Sequence, residues 1–295
     1  MTITVLAVLG RGVVDPSTPV AAADDAGLTR GDGCFEGLRL RRLPGGSEVD
    51  ALDGHMARMT RSAAGLDLSF DETAWRDLVA EAATAWVAHH PDEDEAAMKL
   101  VLTRGRPGAS TPTGFAIVFP LAAATTSWRR DGIDVATMGR GYSTTSFTNA
   151  PWLLGGIKTL SYAVNMAAQR EAVRRGAHEP LFVTTDGWLL EAPTSSVVWA
   201  SGSTLWTIAD NADNGILHSI TVDTLFERAE KDGWTTISGT GKVGDLHAAE
   251  VVMLVSSVVG PLRVRSLDGI LLPAPVAGLE TLAACRRLAD FPTDR

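Results

Sequence analysis

Lys158 stands in an uncharged, glycine-flanked stretch, PWLLGGIKTLSYAVN (residues 151–165), of a chain that has 22 arginines and only four lysines. Arginine keeps its proton and cannot attack a carbonyl, whereas an amine in apolar surroundings sheds charge readily and can form a Schiff base or act as a general base near neutral pH. The competing reading is a surface lysine snorkelling at a helix start. Thirty-three residues on, Glu191 closes the apolar run WLLE, just before APTSSVVW. A carboxylate there is either a surface cap or a buried charge, and a buried one needs a cationic partner. Two places could take an anion. Arg58 lies in the helical pattern HMARMTRSA, and SITVDTLFERA puts Ser219, Ile220 and Thr221 at a helix N-terminus, where backbone N–H groups and the dipole favour negative charge. A lysine for an aldehyde, an acid for a ring nitrogen, a hydrogen bond to a ring hydroxyl and an anion site are the four demands of pyridoxal phosphate. The chain has candidates for each.

The elements that must position these residues alternate without the strict βαβ rhythm of a Rossmann sheet, and no GxGxxG follows a strand. Strand-like runs are expected over 2–9, 37–43, 98–103 and 115–119. Helices are expected over 51–64 and 71–89, the second opened by the capping-box-like SFDETAW. After Pro120 the small-residue stretch LAAATTS (121–127) reads as a linker. Beyond it, helices are expected over 159–175, 221–230 and 276–288, with strands at LFVTT, WLLE, SVVWA and TLWTI and near Trp234 and Val251. The pattern predicts a mixed α+β protein: a small N-terminal α/β domain (1–120), the linker, and a larger C-terminal domain (128–295).

Composition narrows the partner. A net charge of −9 with no dense basic run argues against nucleic acid or an anionic membrane and favours a small molecule. Cys34 and Cys285 have no metal-ligand spacing and allow at most one bridge, so free thiols and a reducing compartment are expected. The histidines form no metal cluster either, His89 and His90 lying beside the acidic run PDEDE as a solvated loop. The N-terminus lacks a basic leader and reads as an opening strand, which leaves the cytoplasm as the expected location.

Six ordered segments resemble the class IV, fold-type IV pyridoxal-phosphate enzymes: branched-chain and D-amino-acid aminotransferases and 4-amino-4-deoxychorismate lyases. They are GDGCFEGLRL (31–40), HMARMTRSA (55–63), MKLVLTRG (98–105), GIKTLSYAVNMAAQREAVRRGAHEPLFVTTDGWLLEAPTSSVVW (156–199), NGILHSITVDTL (214–225) and EVVMLVSSVVGPLRVRSLDG (250–269). The resemblance implies a two-domain fold with a pseudo-barrel C-terminal domain, the cofactor in the cleft, and pairing as homodimers. It implies Lys158 as the lysine that condenses with the cofactor and Glu191 as partner of the pyridine nitrogen. Arg58 would hold the phosphate, helped by Ile220, Thr221 and one of Ser256 or Ser257, and Tyr162 looks like the tyrosine bonded to the ring hydroxyl.

Departures from the family pattern bear on substrate. Arg30 replaces a tyrosine common before GDG and is either a carboxylate ligand or a surface loop arginine. Val222 replaces the arginine of a helix-opening GITR. RPGASTPTG follows the TRG turn where D-amino-acid aminotransferases carry an Arg-x-His trap. Lys99 stands where lyases have a lysine near the substrate, or else guards an edge strand, and Arg104 either meets substrate or braces its turn. The favoured expectation is a 4-amino-4-deoxychorismate lyase releasing p-aminobenzoate and pyruvate. The alternatives are a transaminase of D- or branched-chain amino acids and a non-catalytic pyridoxal-binding protein.

Overall fold

The computed structural model describes residues 3–211 and 213–292. It divides into two compact units: one runs to Ala122 and takes in Ile157–Tyr162, and the other holds Ala123–Gly156 and the chain from Ala163 onward.

The first unit is built on a six-stranded antiparallel sheet. Its elements in chain order are β1 (Val5–Val8), β2 (Gly12–Val14), α1 (Ala26–Arg30), β3 (Gly33–Leu43), β4 (Gly46–Val49), α2 (Leu52–Gly65), α3 (Glu72–His89), β5 (Glu95–Thr103) and β6 (Thr113–Pro120), and the strand order is β2-β1-β6-β5-β3-β4. Period-two alternation sorts the two faces of the sheet. Cys34, Glu36, Leu38 and Leu40 of β3 pair in register with Leu102, Leu100, Met98 and Ala96 of β5 and lie buried with Met56, Met59, Trp75 and Trp86 of the helices. Phe35 and Lys99 belong to the opposite face.

The second unit carries α4 (Ala124–Asp131), β7 (Ile133–Gly139), a 3-10 turn at Pro151–Leu153, α5 (Ala163–Arg174), β8 (Glu179–Val183), β9 (Ser196–Ser201), β10 (Thr204–Ile208), α6 (Ile220–Lys231), β11 (Thr235–Gly239), α7 (Val243–Ala248), β12 (Val251–Ser256), β13 (Gly260–Leu267), β14 (Ile270–Leu271) and α8 (Val276–Leu288). Its sheet runs β11-β10-β9-β12-β13-β7-β8, with β14 paired to β13. Antiparallel pairs at the centre give way to parallel ones at β10–β11, β13–β7 and β7–β8. Among the described residues, no helix is long and apolar enough to cross a membrane.

Three expectations need correction. Ala124–Ser127, read as linker, form the first half of α4, because four small or polar residues ahead of Trp128 can wind into a turn once the tryptophan packs on the core. The helix expected from Thr159 starts only at Ala163, since Lys158–Leu160 is captured as an extended segment by β3. WLLE is not a ladder strand: Leu189 makes a single bridge to Val183, and Leu190 and Glu191 exchange backbone bonds with Phe182. Thr2, the start of the first expected strand, and residues 293–295 lie outside the described residues. Cys34 and Cys285 are buried free thiols.

Glu179 at the start of β8 is 8% exposed, takes one hydrogen bond from Gln169 Nε2 (2.9 Å), and has no partner for Oε2 among the described residues. Burial pushes its carboxyl up from 4.5 to about 7. The folded chain therefore keeps a proton that the unfolded chain releases, so this group's contribution is fully present below pH 4.5 and is lost as pH rises to 7. A gap of that size corresponds to about 3 kcal/mol. Glu179→Gln is expected to remove that loss and raise stability at pH 8 by about 1–3 kcal/mol. Urea unfolding at pH 5 and pH 8 checks it, and an unaltered pH dependence in the variant would refute the assignment.

Candidate active site

In the first unit Lys158 is placed by backbone pairing. The Phe35 amide donates to the Lys158 carbonyl (3.1 Å), the Leu160 amide donates to the Gly33 carbonyl (2.8 Å), and Cys34 bridges Thr159, so residues 158–160 extend the edge of β3 that β4 leaves uncovered. The Lys158 amide also donates to Ser62 Oγ on α2 (3.2 Å). Two glycines permit this approach. A Cβ on Gly33 would stand 2.4 Å from the Leu102 carbonyl oxygen and 2.8 Å from Leu160 Cδ1, and one on Gly65 would stand 2.7 Å from Ile157 Cδ1.

The side chains gather around Phe35. Lys158 Nζ lies 4.7 Å and Lys99 Nζ 4.3 Å from its ring centroid, and the Tyr162 ring meets it edge-on at 5.1 Å. Lys99 is half-buried and makes no ion pair with a described residue. Burial lowers its pKa.

On the helix face of the same sheet, Glu36 is fully buried and grips Arg58 through both oxygens, Nε to Oε1 at 2.7 Å and Nη2 to Oε2 at 2.6 Å, with His55 Nδ1 2.8 Å from Oε2. Burial alone would raise the Glu36 pKa, yet Arg58 and then His55 bring it down to about 2. Arg104 donates to Asp32 (Nε to Oδ2, 2.6 Å) and to the Leu66 carbonyl (2.6 Å), contacts that favour the bracing reading. Arg30 is exposed at the end of α1.

The second unit holds the rest. Glu191 is half-buried and accepts from the Leu217 amide through Oε1 (3.2 Å), in a turn stiffened by buried Asn214, whose Oδ1 accepts from the Ile216 amide and whose Nδ2 donates to the Ala209 carbonyl. Tyr142 lies beside it: burial holds the phenol above its ordinary value, Arg140 pulls it back, and the Glu191 charge adds to the rise. Ser219 caps α6 by accepting from the Val222 amide (3.4 Å), Ile220 is buried, and Thr221 Oγ1 lies 2.8 Å from Ser257 Oγ. Ser256 Oγ instead accepts from the Val259 amide (3.4 Å), so Ser257 is the serine paired with the start of α6.

A cavity of about 500 Å3 also opens in this unit, lined by Asp134, Arg175, Arg265, Ser266 and Asp268 among others, and contains none of the residues singled out above. Its arginines already pair with carboxylates, Arg175 with Glu171 and Arg265 with Asp134. Among the described residues, no cluster could hold a metal ion.

The profile of the class IV aminotransferases matches residues 33–267. The chain belongs to that family. It is 38% identical over 281 residues, 90% of this chain and 92% of the relative, to a bifunctional aminodeoxychorismate lyase / D-amino acid transaminase of Mycobacterium tuberculosis. Among solved structures it is similar to a hypothetical aminotransferase from M. tuberculosis in its PLP-bound form (TM-score 0.89, 38% identity, 99% of this chain and 100% of that one). It is also similar to the fold IV-transaminase CpuTA1 from Curtobacterium pusillum (TM-score 0.86, 34% identity, 96% and 97% covered). Pyridoxal phosphate is the cofactor of this class IV aminotransferase. The residues present suit it: a half-buried lysine amine, a carboxylate pinned by a backbone amide, a buried arginine, and a hydroxyl pair at a capped helix start.

Sequence reasoning missed the hold that Glu36 and His55 have on Arg58. Glu36 was detectable: in GCFEGLRL it shares the parity of Cys34, Leu38 and Leu40, and an acid on the apolar face of a strand demands a cation from the element packed above it.

Proposed function

We propose that this class IV aminotransferase acts as a 4-amino-4-deoxychorismate lyase, releasing p-aminobenzoate and pyruvate. The observation that carries this reading is the placement of Lys99 and Lys158 over one Phe35 ring, 4.3 and 4.7 Å from its centroid. Two amines at one aromatic ring, Lys99 without an acidic partner among the described residues, suit a substrate with an amine and two carboxylates.

Bound pyridoxal phosphate supplies an electron sink for the carbon bearing the substrate nitrogen. Lys158 Nζ would hold the cofactor and, once free of it, would take the proton from that carbon. Glu191 would keep the pyridine nitrogen protonated, while Tyr162 would orient the ring through its hydroxyl. Arg58 would hold the phosphate, as would the α6 start at Ser219, Ile220 and Thr221 with Ser257, while Ser256 supports the turn. Lys99 and Arg30 orient the substrate carboxylates, and Arg104 braces the loop behind Asp32. Departure of the enolpyruvyl group breaks the ring C–O bond as the electron pair left by the removed proton completes an aromatic ring, which makes the step downhill, and the enolpyruvate takes up a proton to become pyruvate.

Transamination of D-amino acids is the second reading, supported by the Mycobacterium relative's second activity. It shares every protein group through proton removal. The test gives the holo-protein 4-amino-4-deoxychorismate with no keto acid present. Sustained, equimolar p-aminobenzoate and pyruvate support the lyase. Silence with cofactor bound moves the reading to transamination, assayed with D- and branched-chain amino acids and a keto-acid acceptor.

Lys99→Met should raise KM for the lyase substrate roughly 10- to 100-fold with kcat little changed, the loss of a charge-assisted bond of about 1.5–3 kcal/mol. A KM within twofold of the parent would remove Lys99 from substrate binding. We also infer a cytoplasmic homodimer, with exposed Trp152 and Leu153 covered by a second copy. Analytical ultracentrifugation decides the oligomeric state.

A further inference from the structure

Glu36 is a fully buried carboxylate on the strand that holds Lys158, and none of the chemistry above uses it. It sits mid-strand in β3, fully buried, with both oxygens spent on α2: two bonds to the Arg58 fork and one to His55 Nδ1. His55 and Arg58 are three residues apart on α2 and so present the same face to β3. A carboxylate placed there costs desolvation that an apolar residue would not, and replacing a buried ion pair by well-packed apolar groups is often neutral or stabilising. Stability alone therefore gives weak reason for the pair. What it does provide is geometry. Arginine has three rotatable bonds beyond Cβ, and a bidentate carboxylate grip on its Nε–Nη2 edge fixes the guanidinium plane and its azimuth. His55 Nδ1 holds the Glu36 oxygen that receives Nη2, so the grip is itself held from the helix.

We propose that Glu36 is a positioning residue for cofactor phosphate: through its two-point hold on Arg58, steadied by His55, it sets the direction from which the guanidinium meets the phosphate. The inference rests on the reading of Arg58 as the phosphate ligand. Charge alone predicts the opposite sign. Glu36 cancels the charge of Arg58, so a purely electrostatic account has the phosphate bound more tightly once the carboxylate is gone.

The two accounts are separated by measuring dissociation constants of pyridoxal phosphate and of pyridoxal, which has the same ring and aldehyde but no phosphate, for the parent and for Glu36→Gln. The positioning role predicts a rise of about tenfold or more for pyridoxal phosphate and less than twofold for pyridoxal, corresponding to at least 1.4 kcal/mol confined to the phosphate. Equal changes for the two ligands, or tighter binding of pyridoxal phosphate, overturn it. A parent that discriminates poorly between the ligands, together with an Arg58→Met that binds both as the parent does, would instead overturn the reading of Arg58 beneath it. Should Glu36→Gln fail to fold by circular dichroism, His55→Gln keeps the ion pair while altering its support. It should show the same phosphate-selective weakening at two- to fivefold, and unchanged binding of both ligands there would refute the proposal.

Discussion

Lys158→Ala should abolish turnover and, in the same preparation, abolish the covalent adduct that borohydride fixes between protein and cofactor. The expected fall is at least about 10⁴-fold, because in the proposed mechanism one amine serves both as the attachment point and as the base, and a positioned base alone contributes 10²–10⁴-fold. The fold should survive. Residue 158 is held by its own amide and carbonyl, to Ser62 Oγ and the Phe35 amide, and neither bond involves the side chain. Lys158→Arg, which keeps the charge near the Phe35 ring but cannot condense or deprotonate, should be equally inactive. Intact-protein mass after borohydride treatment, peptide mapping and the thermal midpoint make the measurement. An adduct at a different lysine, or activity within tenfold of the parent, would reassign the chemistry, with Lys99 the next residue to examine.

Glu191→Gln is expected to lower kcat by about 10³-fold while leaving the cofactor bound, the scale found when one preorganised electrostatic partner of a developing charge is removed. The amide preserves shape and still accepts from the Leu217 amide through its oxygen, but it cannot hold a proton on a pyridine nitrogen. Glu191→Asp, with the charge set back by one methylene, should recover part of the rate. The Tyr142 phenol gives a second readout, of the Glu191 charge itself. The Glu191 charge helps hold its pKa up, so that pKa should fall in the Gln variant. An ultraviolet titration checks the direction, and a kcat within tenfold of the parent would remove Glu191 from the chemistry.

How much of this was legible in the chain depends on the kind of signal each residue carried. Lys158 and Glu191 announced themselves because a rare residue type, or a charge closing an apolar run, stands out against its neighbours. The α2, α3 and α8 helices were readable from local periodicity, and α3 and α8 run over nearly the expected bounds. Ser219 was readable as a cap because capping is local too. What failed was everything decided by distant pairing. Helical propensity from Thr159 loses to two backbone bonds with β3, whose sequence lies more than 120 residues earlier. The assignment of Lys158 to the first compact unit follows from the same bonds, although its position in the chain suggested the second. Ser256 and Ser257 are adjacent and chemically identical in sequence, and only the turn after β12 decides which hydroxyl meets Thr221.

The capture of residues 158–160 by β3 also bears on how the chain can be divided. A fragment stopped at Ala122 contains all six strands of the first sheet, yet it leaves the Gly33 carbonyl and the Phe35 amide without Leu160 and Lys158 as partners. Such a fragment would present a raw seam beside the buried Cys34, ready to pair with any passing strand. A short peptide spanning Ile157–Tyr162 would then behave as the missing tooth of a zip. The same six residues that carry Lys158 also seal the sheet against its own kind.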